Sequence, residues 1–178
     1  MIEILDRLDS GGVWYCVEGG WGVDALVGEQ MRPHDDLDIA VRMDDVARVC
    51  AALREFERDD AEWPASFVLR DRRGRRIDAH PLKSDDVGDG WQANLHGAPY
   101  RWPREHLDAR GRVGGREVRC ITPELQLRWH EYEGFDDVDW ADMRALSDRF
   151  DLRPPPALVA RPGFVAAKRL SGASTAGA

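Results

Sequence analysis

The chain has 178 residues, 43% of them hydrophobic, and 33 acids against 25 Lys and Arg give it a formal net charge of −8. That length supports one real core and a small second one. The acid surplus argues against backbone-driven nucleic-acid binding, which needs clustered cations, and favours a cationic partner. Cys16, Cys50 and Cys120 are odd in number and match no zinc or redox spacing, so a reducing cytoplasm without disulfides is expected. The stretch from Met1 to Asp9 carries acids and no long apolar run, so it reads as neither signal peptide nor membrane anchor, and a soluble cytoplasmic protein is expected.

Ile4, Leu5 and Leu8 form a helical stripe that ends before Ser10-Gly11-Gly12, and Val13 to Val17 follows with the aromatic and β-branched bias of a buried strand. Gly19-Gly20 allows a sharp turn, after which Trp21 to Val27 reads as a short helix whose first amides point at whatever occupies the strand end. A strand over Asp36 to Ala40 comes next. Asp44 or Asp45 then caps a helix with Val46, Val49, Cys50, Leu53 and Phe56 on one face.

Phe67 to Asp71 and Arg75 to His80 flank Arg72-Arg73-Gly74 and predict a hairpin, with Asp78 and His80 on one strand face. Residues 84–115, rich in Gly, Asp and Pro, read as long loops and short hairpin strands, ending in a strand over Glu117 to Ile121. Thr122-Pro123 starts a helix through Trp129. A second helix is expected from near Asp139, with Asp142 three residues on and Met143, Leu146 and Phe150 as its apolar stripe. Pro154-Pro155-Pro156 is expected to close the folded part, and the segment from Arg161 onward to be a frayed tail. The expected organisation is a catalytic domain over 1–121, a helical region over 122–160 that contributes to an acceptor site, and a tail over 161–178.

The chemistry concentrates between Glu18 and Val41. A strand places residues i and i+2 on one face, so Asp36 and Asp38 project side by side, and two anions held that close call for a cation between them. A hard divalent ion such as Mg²⁺ takes carboxylate oxygens and keeps positions for water and substrate phosphates. An Asp-x-Asp pair alone often merely faces water. Here it follows a glycine turn, and a third acid, Asp78, comes from a later strand.

Gly19-Gly20-Trp21, Asp24, Arg32, His34, Asp36-x-Asp38 and Ile77-Asp78 together resemble the polymerase-β-type nucleotidyltransferases, in the branch that holds aminoglycoside 2''-adenylyltransferase and the small lincosamide nucleotidyltransferases. The wider superfamily usually has Gly-Ser at the turn; that branch shares Gly-Gly. The resemblance implies an α/β fold, with a small mixed sheet and helices on one side. It implies two divalent metals bound by Asp36 and Asp38, with Asp78 completing the site as base. It also implies a triphosphate held at Gly19, Gly20 and Trp21. Arg32 and His34 are candidates to meet the departing pyrophosphate from the loop before the acid strand, although a solvated loop cation is an equal reading of Arg32.

His80 could orient Asp78 or contact substrate, although a histidine near a strand end is more often a satisfied structural group, and Asp24 reads as a structural hydrogen-bonding group. The five arginines from Arg70 to Arg76 read most simply as a solvated turn. Glu131, Glu133, Asp136, Asp137, Asp139 and Asp142 form an acidic run with no cation of its own. Such a run is commonly a solvated face, but it would receive a polyamine-like substrate if it overhangs the metals, with Glu131 and Glu133 as the candidates. The expected activity is Mg²⁺-dependent transfer of AMP from ATP to a hydroxyl of a small molecule such as an aminoglycoside or lincosamide. The alternatives are a protein-adenylylating antitoxin-type enzyme and a nucleotide-binding module that has lost transfer. No nucleic-acid or membrane partner is expected.

Overall fold

The computed structural model describes residues 1–130 and 136–160. Helix α1 (Ile2–Ser10) buries Ile4, Leu5 and Leu8 and hands over to strand β1 (Tyr15–Val17), shorter than expected because Val13 and Trp14 lie ahead of the ladder. Helix α2 (Gly19–Val27) begins at the glycines themselves, so Gly19-Gly20 is the helix's first turn rather than a turn preceding it. Strand β2 (Asp36–Arg42) follows, then a single 3-10 turn and helix α3 (Val46–Ala52). Helix α3 stops before Leu53 and Phe56, although both are buried in the same core. Asp45 precedes α3, but its carboxylate is drawn away from capping. It accepts from the Trp14 amide at 3.2 Å and from Arg48 at 2.7 Å.

Strands β3 (Glu57–Asp59), β4 (Phe67–Arg70) and β5 (Arg76–Ser84) extend the sheet, with Gly74 in the left-handed position at the β4–β5 turn. The region read as long loops and short hairpin strands holds β6 (Gly90–Gln92), β7 (Tyr100–Trp102) and β8 (Ala109–Val113), and the strand expected to close it is β9 (Arg116–Cys120). Helix α4 (Pro123–Trp129) starts as predicted, with Thr122 as the cap.

Helix α5 (Asp137–Phe150) starts earlier than expected, because the reciprocal cap joins Asp136 to Asp139 and Asp142 lies inside the helix. The proline run does not end the order, since Pro156 opens a further turn, α6 (Pro156–Val159). Proline at the first helical position loses an amide that would lack a partner anyway. The expected tail lies outside the described residues.

The sheet runs β3-β4-β5-β2-β1-β9-β8, with β6 and β7 continuing from β5. Strands β2 and β5, and β1 and β9, pair in parallel, while the other neighbours are antiparallel, so the sheet is mixed as expected. The larger core takes Ile4, Leu8, Ile39, Val41, Ile77, Met143 and Leu146 from one sheet face and the helices on it. Alternate strand residues, Cys16, Ala40 and Leu82, join Trp102, Leu107 and Leu125 in a smaller core on the other face. Cys16, Cys50 and Cys120 are all free thiols. No helix of the described residues is long and apolar enough to cross a membrane.

Candidate active site

The acid cluster follows from strand register. In the parallel β2–β5 pair, Asp38 stands opposite Asp78 and Asp36 opposite Arg76. Leu37, Ile39, Ile77 and Ala79 are fully buried in the larger core, which turns Asp36, Asp38 and Asp78 to the opposite face. One carboxylate oxygen from each of the three lies within 4.8 Å of the others. Arg76 stands at 3.2 Å from Asp36 and donates to Asp78 at 2.5 Å.

The other Asp78 oxygen, Oδ1, is buried without a hydrogen-bond partner. Three hard oxygen donors around one point, one of them with an unanswered lone pair, fit a divalent cation of the Mg²⁺ kind. Burial, with Glu18 and Asp36 nearby, raises Asp38 to about 7. Burial also raises Asp78, against the pull of Arg76. Burial opposes charge on His80, but Glu18, which contacts its Nδ1 at 2.9 Å, together with Asp38 holds it up at about 9.

The glycines lie against this cluster. The Glu18 amide bonds the Asp38 carbonyl at 3.0 Å, which brings the start of α2 beside the acid strand. Gly19 has φ +58, and a Cβ there would collide with the Asp38 carboxylate. At Gly20 an added Cβ would strike the His34 ring and stand 2.6 Å from the Arg32 guanidinium. The first amides of α2 have no partner within the helix, and their dipole favours an anion. Gln126 of α4 donates to the Gly19 carbonyl at 2.7 Å and fixes the turn from the far side.

Arg32 and His34 are both brought to Gly20, and both already have protein partners. His34 Nε2 meets Asp24 at 2.5 Å, with its ring 4.5 Å from that of Trp21, and Asp24 also accepts from the Met31 amide at 3.1 Å. Asp24 thus has the structural role read from the sequence. Arg32 is neither a solvated loop cation nor free, because its Nη2 donates to Asp142 at 2.9 Å while its Nε is buried without a partner. The acidic run, which has no cation of its own, thus takes one from the loop before β2, and its last member, Asp142, is 1% exposed and faces inward rather than lying on a solvated face. The arginine run also divides, since Arg75 pairs with Asp71 and Glu3 while Arg76 reaches the acids. Glu131 and Glu133 lie outside the described residues.

Glu18, Arg76, Gln126 and Asp142 were not singled out from the sequence as site residues. For Arg76 a signal existed, because Arg76 and Asp78 are two apart and share a strand face. Glu18 carried the signal of an acid ending an otherwise apolar strand. Gln126 and Asp142 carried none, as their partners lie 107 and 110 residues away.

Acids gathered on parallel strands beside a glycine-fronted helix, on a mixed sheet of this order, define a chain of the nucleotidyltransferase class. The family model for aminoglycoside-2''-adenylyltransferase matches residues 1–146, so the chain belongs to that family and is a nucleotidyltransferase. A lincosamide resistance protein of Staphylococcus haemolyticus is 30% identical over 148 residues, 82% of this chain and 91% of its own length. The crystal structure of the lincosamide antibiotic adenylyltransferase LnuA with lincomycin bound superposes with a TM-score of 0.74 at 29% identity, covering 83% of this chain and 94% of that one. The fold is also that of ANT(2'')-Ia, seen in complex with adenylyl-2''-tobramycin, with a TM-score of 0.67 at 19% identity over 84% and 86% of the two chains.

Proposed function

We propose that the protein transfers AMP from ATP to a hydroxyl of a lincosamide antibiotic, in a Mg²⁺-dependent reaction centred on Asp36, Asp38 and Asp78. The observation that carries this reading is the meeting of the three carboxylates within 4.8 Å beside Gly19. A lincosamide is favoured over an aminoglycoside as acceptor because the similarity to lincosamide enzymes, at 30% and 29% identity, exceeds the 19% to the tobramycin-modifying one.

Two divalent ions held by Asp36, Asp38 and Asp78 would neutralise the phosphates and polarise the phosphorus under attack. The amides of Gly19, Gly20 and Trp21 receive the triphosphate at the positive end of α2. The Arg32 Nη2 that Asp142 holds lies beside Gly20, so Arg32 adds positive charge where that triphosphate would sit. Asp78, whose affinity for a proton burial raises, accepts the acceptor hydroxyl's proton. His80, held by Glu18, keeps a positive charge beside the acids. Helices α4 and α5 border the acceptor site, with Gln126 of α4 linking them to the glycine turn.

The test is pyrophosphate release from ATP with lincomycin or tobramycin, with and without Mg²⁺. Metal-dependent release with lincomycin and an adenylylated product in the mass spectrum support the reading. Release that ignores Mg²⁺, or no release with either antibiotic, overturns it.

A further inference from the structure

We propose that the cavity between Trp14, Arg42, Arg104 and Arg119 binds a compact phosphate-bearing anion, of the size of inorganic phosphate or pyrophosphate, at a site separate from the carboxylate cluster. Arg42 ends β2, four residues past Asp38, which places it roughly 13 Å along the strand from the acids. The cavity has a volume of about 270 Å³, and Ser84 and Asp108 complete its polar lining. That volume matches a small anion better than an antibiotic or a whole nucleoside triphosphate.

Positive charge is concentrated there. The guanidinium of Arg42 lies 5.2 Å from the Trp14 ring centroid and that of Arg119 lies 5.5 Å from it, so one indole positions two like charges. Among the described residues Arg42 pairs with no carboxylate, and the side chain of Arg104 is bound only to the Val87 carbonyl, at 3.2 Å. Arg119 gives its Nε to Asp108 at 2.8 Å and keeps its other N–H groups.

The acids nearby are already engaged. Asp108 also accepts from Arg110 at 2.9 Å, and Asp89 accepts from Arg101 at 2.6 Å and from the Arg104 amide at 2.9 Å. Three guanidiniums against one shared carboxylate repel one another in a protein whose overall charge is −8. A doubly charged anion relieves that repulsion, and the planar N–H forks match phosphate oxygens. Ser84 adds a neutral polar residue at the wall.

The experiment is a titration of the full chain, in EDTA, with phosphate, pyrophosphate and citrate, followed by amide and indole NMR. Phosphate or pyrophosphate is expected to shift the Trp14 indole and the Gly88 and Gly90 amides, and at the lowest concentrations to do so before Gly19 and Gly20 move. Replacing both exposed arginines, Arg42→Ala with Arg104→Ala, is expected to weaken binding at least tenfold while the thermal midpoint and nucleotidyl transfer stay unchanged. Arg42→Lys is expected to recover part of the affinity. Shifts confined to Gly19 and Gly20, equal affinity in the double variant, or citrate binding as tightly as pyrophosphate would overturn the proposal. The binding and thermal readouts do not depend on the antibiotic acceptor, so they stand or fall independently of it.

Discussion

Asp38 has the most divided surroundings of any residue in the cluster, with carboxylates at Glu18, Asp36 and Asp78 and a cationic ring at His80. Its affinity for a proton is raised from 3.8 to about 7, so its share of stability is intact below pH 3.8 and is lost as pH rises through 7. Above that pH the metal-free protein carries an ionised carboxylate among like charges. A divalent cation binds the ionised form, so Mg²⁺ should raise the thermal midpoint more at pH 8 than at pH 6; an equal shift at both would be contrary evidence. Asp38→Asn should lower transfer by about a thousandfold with native circular dichroism, because one anionic ligand is lost and the shape kept. Gly19→Ala should be worse for folding. It combines a left-handed backbone, costing about 1–2 kcal/mol for an L side chain, with overpacking against Asp38, typically another 1–3 kcal/mol. Urea unfolding measures the sum.

At the scale of elements, the site depends on α5 although no acid of the cluster comes from it. Asp142 on its buried face holds Arg32 at the mouth of α2, and the helix is capped one turn earlier by Asp136 and Asp139. Asp136→Ala should cost about 1 kcal/mol and lower the thermal midpoint by roughly 2–4 °C. Asp142→Ala should cost on the order of 2 kcal/mol and raise KM for ATP more than it lowers kcat, since it releases a phosphate-facing cation rather than a reacting group. Equal losses in KM and kcat would place Asp142 in the chemistry instead.

These two residues also show what a sequence can reveal. Asp36, Asp38 and Asp78 were readable because period-two alternation between buried Leu37, Ile39 and Ile77 dictates their face. Helix α4 was readable because Thr122-Pro123 is a local start signal. Helix α5 was placed two residues late, since Asp139 and Asp142 mimic a cap at the same spacing as the true pair. The inward turn of Asp142 depends on Arg32, 110 residues away, and no local pattern encodes that meeting. Strands β6 and β7, three residues each, are too short for alternation to register against their Gly, Pro and Asp surroundings.

Across the whole molecule, the surplus of acids sets the long-range field. With 33 acids against 25 Lys and Arg, a cation approaching from solvent is attracted before any contact forms. A lincosamide or aminoglycoside carrying a protonated amine would gain from this field, whereas ATP would meet it as a barrier that only the local positive charge of α2, Arg32 and bound metal offsets. The two substrates should therefore respond oppositely to salt. Screening shortens the reach of exposed charges from about 10 Å at 0.1 M to about 3 Å at 1 M. Raising NaCl over that range at fixed Mg²⁺ should increase KM for the cationic antibiotic severalfold, leave kcat within about twofold, and leave KM for an N-acylated, uncharged derivative of the same antibiotic nearly constant. Initial rates measured for the charged and neutral acceptors side by side would decide the point. If both KM values move together, the acceptor is recognised by contacts alone and the net charge of −8 has no part in its capture.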